Sequence, residues 1–175
     1  PRTIFTAWTW SELNAVGIYT VEAGTVGDDR YEYTSQTTYA FDSSNKKVTT
    51  TYTKTDKALA DSNAVDEDGN NLLDKDGNQI INYGLKTNLI KTLKAQAAGE
   101  LQKTDWYVVR KADAGTAIPS AIETHRAAVR TKCASMEASI TNAADTAALE
   151  TLYTYTTDSE GVQSRPLGEL PTLES

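Results

Sequence analysis

The spacing of apolar positions changes once along the chain, near Gly84. Before it, apolar side chains tend to recur at every second residue. Tyr31 and Tyr33 alternate with polar neighbours, as do Tyr39 and Phe41, and then Val48, Thr50 and Tyr52. A period of two predicts strands with one face toward a core. Asp42-Ser43-Ser44-Asn45 interrupts them as a turn cluster. Threonine fills most other positions and suits an exposed pleated face. Residues 30–55 therefore predict a β-hairpin or three-stranded meander with one apolar face. Upstream lies an aromatic cluster of Phe5, Trp8 and Trp10. Thr9-Trp10-Ser11-Glu12 fits a capping box, with Thr9 as cap and Glu12 reaching back. The helix it opens is short, because Gly17 and the β-type run Ile18-Tyr19-Thr20-Val21 follow.

After Gly84 the period becomes helical. Leu85, Leu89, Ile90, Leu93, Ala97 and Leu101 form one stripe, with Lys86, Lys91 and Lys94 largely opposite, predicting a helix over 84–103. Thr104-Asp105-Trp106-Tyr107-Val108-Val109-Arg110 ends it as a short extended segment. Gly115 and Pro119 bracket a loop, and Pro119 suits a first helical turn. A second helix spans 119–142, with a seam at Ile122, Arg126, Val129, Cys133, Met136 and Ile140. A short third helix follows at 145–153. Residues 157–175 carry Gly161, Pro166, Gly168 and Pro171, with Leu167, Leu170 and Leu173 three apart. They predict an extended arm whose leucines lie along one edge of a polyproline-like strand. The arm is expected to order against a neighbouring subunit or the body of its own domain.

The fold class is thus α+β: an N-terminal antiparallel β-hairpin or meander, then a helical hairpin with a short third helix and an extended C-terminal arm. The expected divisions are a β-rich region at 1–60, an acidic turn-rich linker at 61–83, a helical module at 84–156 and the arm at 157–175.

Composition narrows the function. The net charge of -7 argues against non-specific nucleic-acid binding, which needs a basic face. Residues 55–82 are mainly acidic, 86–132 mainly basic, and 133–175 acidic again. Such asymmetry can guide subunits together, and it also serves solubility. The mean hydropathy of -0.49 implies a lean core. No apolar run approaches the roughly 18 residues of a membrane helix. Cys133 is the single cysteine, so an internal disulfide and a cysteine metal site are excluded, and a reducing compartment fits. No signal peptide is expected, and Pro1 suggests loss of an initiator methionine.

Few residues suggest chemistry. Asp66-Glu67-Asp68-Gly69-Asn70 and Asp74-Lys75-Asp76-Gly77-Asn78 repeat with a period of eight and invite a calcium reading. An EF-hand loop needs an acid at its first position and glutamate at its twelfth. With Gly77 at the sixth position those places hold Leu72 and Tyr83, and with Gly69 there they hold Ala64 and Lys75. Two hairpin turns are the better reading, and no metal or cofactor is expected. His125 is the only histidine. Eight residues on a helix place Cys133 about 12 Å from it along the axis, so the two form no dyad. No nucleophile elbow, Walker loop or dinucleotide fingerprint occurs, and no catalytic residue is expected. Arg126 on an apolar seam needs a partner, either Asp105 as an ion pair or the face of Trp106 by cation–π stacking, unless it snorkels from the seam's edge.

A helix ending in Thr104-Asp105-Trp106, followed by His125-Arg126-Ala127-Ala128-Val129-Arg130 in the next helix, resembles the phage tail assembly chaperone family. That family carries Thr-Asp-Trp and then Tyr-Arg-x-x-Leu-Arg. Here His125 stands for the aromatic residue, Val129 for the leucine, and Thr131 for the acid that often follows. The resemblance covers about residues 85–141. Residues 11–57 are similar in layout to the N-termini of phage tail-fibre and fibre-assembly proteins, through Glu12-Leu13, Val16-Gly17-Ile18-Tyr19 and Lys47-Val48-Thr49. These likenesses imply a non-catalytic virion protein of the tail or fibre attachment, in many copies or as a homo-oligomer, made in the host cytoplasm. Its partners would be other phage structural proteins, with neither nucleic acid nor membrane. A transient assembly chaperone and a capsid-surface decoration protein are the alternatives. The expected contact residues are Trp106, Arg126, Arg130, Leu167, Leu170 and Leu173.

Overall fold

The computed structural model describes residues 7–173, apart from the side chains of Gln36 and Thr37. Phe5 lies outside these residues. The fold is α+β, with strands first and helices after, in two compact units, 1–57 and 58–175.

In the first unit, helix α1 (Trp10–Ala15) carries the expected capping box, in which the Glu12 amide donates to Thr9 Oγ1 and the Thr9 amide donates to Glu12 Oε2. Gly17, at φ 83°, turns the chain into strand β1 (Thr20–Ala23). Strands β2 (Glu32–Asp42) and β3 (Lys47–Asp56) form an antiparallel hairpin, and β1 joins the other edge of β3 in parallel, giving the order β1-β3-β2. Asp42 holds the hairpin turn by accepting from the amides of Ser44 and Asn45.

The residues predicted as separate tyrosine strands form one long strand with a bulge between Gln36 and Thr38. The extra residue reverses the alternation. Tyr39, Phe41, Val48 and Val21 share one face, whereas Tyr33 falls on the threonine face. The loop after β1 lies across the first face. A Cβ on Gly24 would sit 2.2 Å from the Thr50 carbonyl oxygen, and the Gly27 amide donates to Thr34 Oγ1. This cover buries Thr50 but leaves Val21, Tyr39 and Phe41 exposed.

The second unit opens with the acidic repeat, expected as a linker. It is a ladder of turns within that unit, framed by strands β4 (Ser62–Asn63) and β5 (Ile81–Asn82). Ala64 donates to Ile80, Leu72 to Ala64 and Ile80 to Leu72 through their backbones, closing a ring of residues eight apart. Each turn is held by its first aspartate. Asp66 Oδ1 accepts from the amides of Asp68 and Asn70, and Asp74 Oδ1 from those of Asp76 and Asn78, with Gly69 and Gly77 at positive φ.

Helices α2 (Leu85–Gln102) and α4 (Ser120–Asn142) form the expected hairpin, and α5 (Thr146–Tyr153) follows, capped by Asp145. Lys86 Nζ on the first turn of α2 donates to the Thr141 carbonyl at the end of α4, as antiparallel helices require. Leu93, Ala97, Val129, Met136, Ile140 and Leu149 form the core between them. Two expectations are corrected here. Residues 104–110 are not extended: Thr104 caps helix α3 (Asp105–Ala114), residues 105–110 belong to it, and Gly115 ends it in a left-handed conformation. Pro119 precedes the first turn of α4 instead of lying in it.

The C-terminal arm is also corrected. It begins as a small hairpin of strands β6 (Thr156–Thr157) and β7 (Gln163–Ser164). Asp158 and Gly161 repeat the turn of the acidic ladder, with Asp158 Oδ1 accepting from the amides of Glu160 and Val162.

The turn aspartates carry a pH signature. Backbone and side-chain donation from Asn70 and Asn78 lowers the pKa values of Asp66 and Asp74 below 3.8. Arg30 beside Asp28 lowers that carboxyl to about 2. A carboxyl depressed by folding stabilises the fold above its unfolded pKa and loses that contribution as pH falls through the folded value. NMR titration of the side-chain carboxyl carbons should therefore place the midpoints of Asp66 and Asp74 below 3.8. Midpoints at or above that value would show that the turns do not hold these carboxylates.

Candidate interaction site

Arg126 lies on the seam of α4 and is only 7% exposed. Its Nη1 donates at 2.7 Å to the Leu101 carbonyl and at 2.7 Å to Thr104 Oγ1, and lies 2.9 Å from Asp105 Oδ1. Thr104 is completely buried, and its hydroxyl also donates to Leu101. The hydroxyl therefore makes no capping bond to α3. Of the partners open to Arg126 from sequence, Asp105 is the one realised, joined by two neutral oxygens.

The arrangement follows from what helix ends lack. The last carbonyls of α2 have no amide ahead of them, and the first amides of α3 have no carbonyl behind. A cation suits the first end and an anion the second. Arg126 supplies the cation beside Leu101, and Asp105 is the acid in the first turn of α3. A guanidinium offers donors in a planar fork, which lets one side chain reach several oxygens. Arg126 thus ties three helices at one point.

Trp106 does not pack at this junction. It is 52% exposed, and α3 buries no residue at all. Its ring centroid lies 3.9 Å from that of Tyr107, and the Arg110 guanidinium carbon sits 4.6 Å from the Trp106 centroid and 5.3 Å from that of Tyr107. The cation–π partner of Trp106 is therefore Arg110, one helical turn on, and not Arg126. Val109 is 65% exposed and Val108 is also open. The outer side of α3 consequently carries exposed Trp106, with half-buried Tyr107 and Arg110 stacked against it, beside bare valines. Sequence reading passed over Tyr107 and Arg110. The place of Arg110, three residues from Tyr107 and four from Trp106, was the available signal.

Arg130 is exposed and takes no part in the clamp. It borders an open depression between α2 and α4, with Lys94, Ala97, Cys133 and Glu137. Of the three arm leucines, Leu167 is buried and belongs to the core. Its amide donates to the Leu152 carbonyl, and it lies with Leu89, Leu93, Met136 and Tyr153. Leu170 is half-buried and Leu173 exposed. Arg165 fastens this return: it pairs with Glu169 and sits 5.4 Å and 5.2 Å from the Tyr153 and Tyr155 centroids. The Tyr155 hydroxyl donates to the Glu169 carboxylate, which raises the tyrosine pKa.

Two substitutions separate anchoring from display. Arg126→Ala removes the charged donor that the Leu101 carbonyl and the Thr104 hydroxyl share, a loss of about 1.5–3 kcal/mol, so thermal unfolding should shift clearly downward. Trp106→Ala should change stability by less than about 1 kcal/mol, as an exposed site. Equal melting shifts would refute this division. Leu167→Ala should cost about 2–5 kcal/mol by opening a cavity. A melting temperature left unchanged by that variant would place Leu167 outside the core.

Comparison of the chain with protein-family models, with curated proteins and with solved structures finds no match.

Proposed function

We propose that this chain is a non-catalytic structural protein of a tailed phage, part of the tail or its fibre attachment, acting through contacts with other structural proteins of the particle. The observation that carries this reading is the outward display of Trp106, with half-buried Tyr107 and Arg110 stacked against it, on a helix with no fully buried residue of its own. Tryptophan, tyrosine and arginine dominate the energy of protein interfaces, because they bring large, stiff surfaces with a polar handle. A helix clamped at its first turn, and tied near its end by the exposed Lys111–Glu123 pair, leaves Trp106, Val108 and Val109 open to a partner.

The sequence resemblance supports the same reading residue by residue. Thr104, Asp105 and Arg126 of the shared pattern form the clamp, and Trp106 is the residue displayed beside it. The pattern thus has a physical content: three residues fix the helix and the fourth uses it. Arg130, the last position of the pattern, stands apart on the groove between α2 and α4.

Mass spectrometry of purified particles tests the assignment. The chain should be present at stoichiometric level, and Trp106→Ala combined with Arg110→Ala should reduce its incorporation while its helical circular-dichroism signal persists. Absence from mature particles would refute the structural role and favour the transient chaperone. Full incorporation of the double variant would remove α3 from the contact.

A further inference from the structure

The outer edge of β2 has no strand against it among the described residues: the sheet order is β1-β3-β2, and β3 occupies only the inner edge. β2 is eleven residues long, and residues 33–41 carry no charge and no proline. An open edge of this length is a template for another strand, and proteins usually guard such edges with lysine, proline or inward charges. Here the charges are confined to Glu32 and Asp42 at the two ends. Tyr33, Ser35, Thr38, Tyr39, Ala40 and Phe41 are all exposed.

We propose that this edge pairs antiparallel with the same edge of a second copy of this chain, making one continuous six-stranded sheet. Two features select a second copy over a foreign strand. The bulge between Gln36 and Thr38 reverses the faces halfway along β2, so a partner strand that carries the same bulge at the same place meets it face for face. The uncharged span also frees two identical strands from the like-charge opposition that separates most self-pairings. A two-fold axis between residues 36 and 37 keeps each face continuous. It sets Ser35 opposite Thr38 of the other copy on the threonine face, and Thr34 opposite Tyr39 on the face that holds Phe41. Each pair occurs twice, as a two-fold contact demands. This pairing is independent of the tail assignment and of α3.

Sedimentation equilibrium of the full chain tests it. The wild-type protein should reach twice the chain mass as concentration rises. Ser35→Lys with Thr38→Lys sets lysines against lysines at two places and should return the mass to that of one chain. Ser35→Lys with Thr38→Glu sets opposite charges in the same places and should restore the doubled mass. Circular dichroism of both variants should match wild type, and the charge-swapped pair shows that substitution at these positions is tolerated. A wild-type chain that stays monomeric, or a dimer that the double lysine leaves intact, would overturn the proposal, as would a charge-swapped variant that stays monomeric.

Discussion

The second unit depends on one guanidinium. Arg126 enters an otherwise apolar seam, where an unpaired cation would be strongly destabilising. It is tolerated because a carbonyl, a hydroxyl and a carboxylate meet there from the junction of α2 and α3. These groups complete one another. Leu101 lies at the end of α2, where its carbonyl accepts the Thr104 amide and hydroxyl as well as the guanidinium. Thr104 is buried with a hydroxyl that must be satisfied, and Asp105 opens α3. The ion pair alone contributes modestly, since Asp105 is half in solvent. The buried Thr104 hydroxyl, which accepts from this guanidinium, is what makes the arginine hard to replace.

Much of this was legible in the amino-acid sequence, for a physical reason. Helices α2, α4 and α5 each bury a face, and burial forces a period on the apolar residues that can be read directly. Thr9 with Glu12, and the two Asp-x-Asp-Gly-Asn turns, are local devices whose hydrogen bonds close within a few residues. Arg126 on a seam demanded a partner, and Asp105 was one of the two within reach.

The rest was hidden where nothing is buried or where a distant contact decides. Helix α3 has no buried face and hence no stripe, and its Trp-Tyr-Val-Val run favours strands by propensity. Asp105 at its start and Gly115 at its end were the cues that remained. The bulge in β2 left no compositional mark, so Tyr33 was assigned to the face it does not occupy. The hairpin at 156–164 could have been found, because Asp158-Ser159-Glu160-Gly161 repeats the spacing of Asp66 with Gly69 and Asp74 with Gly77. Pro166 and Pro171, which follow it, point to an extended chain instead. Leucines three apart were a true signal of contact, but only the fold could choose Leu167 over Leu173 as the buried one.

The clamp also explains how a ten-residue helix without a core keeps its form, as the contact role proposed for α3 requires. Isolated helices this short are marginal in water, and most helices are held by packing along their length. α3 is held at its first turn by Arg126 and stopped by Gly115, with its aromatic pair braced by Arg110. A partner that meets Trp106 and Val109 then finds them already in a helical arrangement and does not bear the full entropy of ordering them. The buried arginine and the exposed tryptophan are therefore linked, the first fixing the helical geometry in which the second stands exposed.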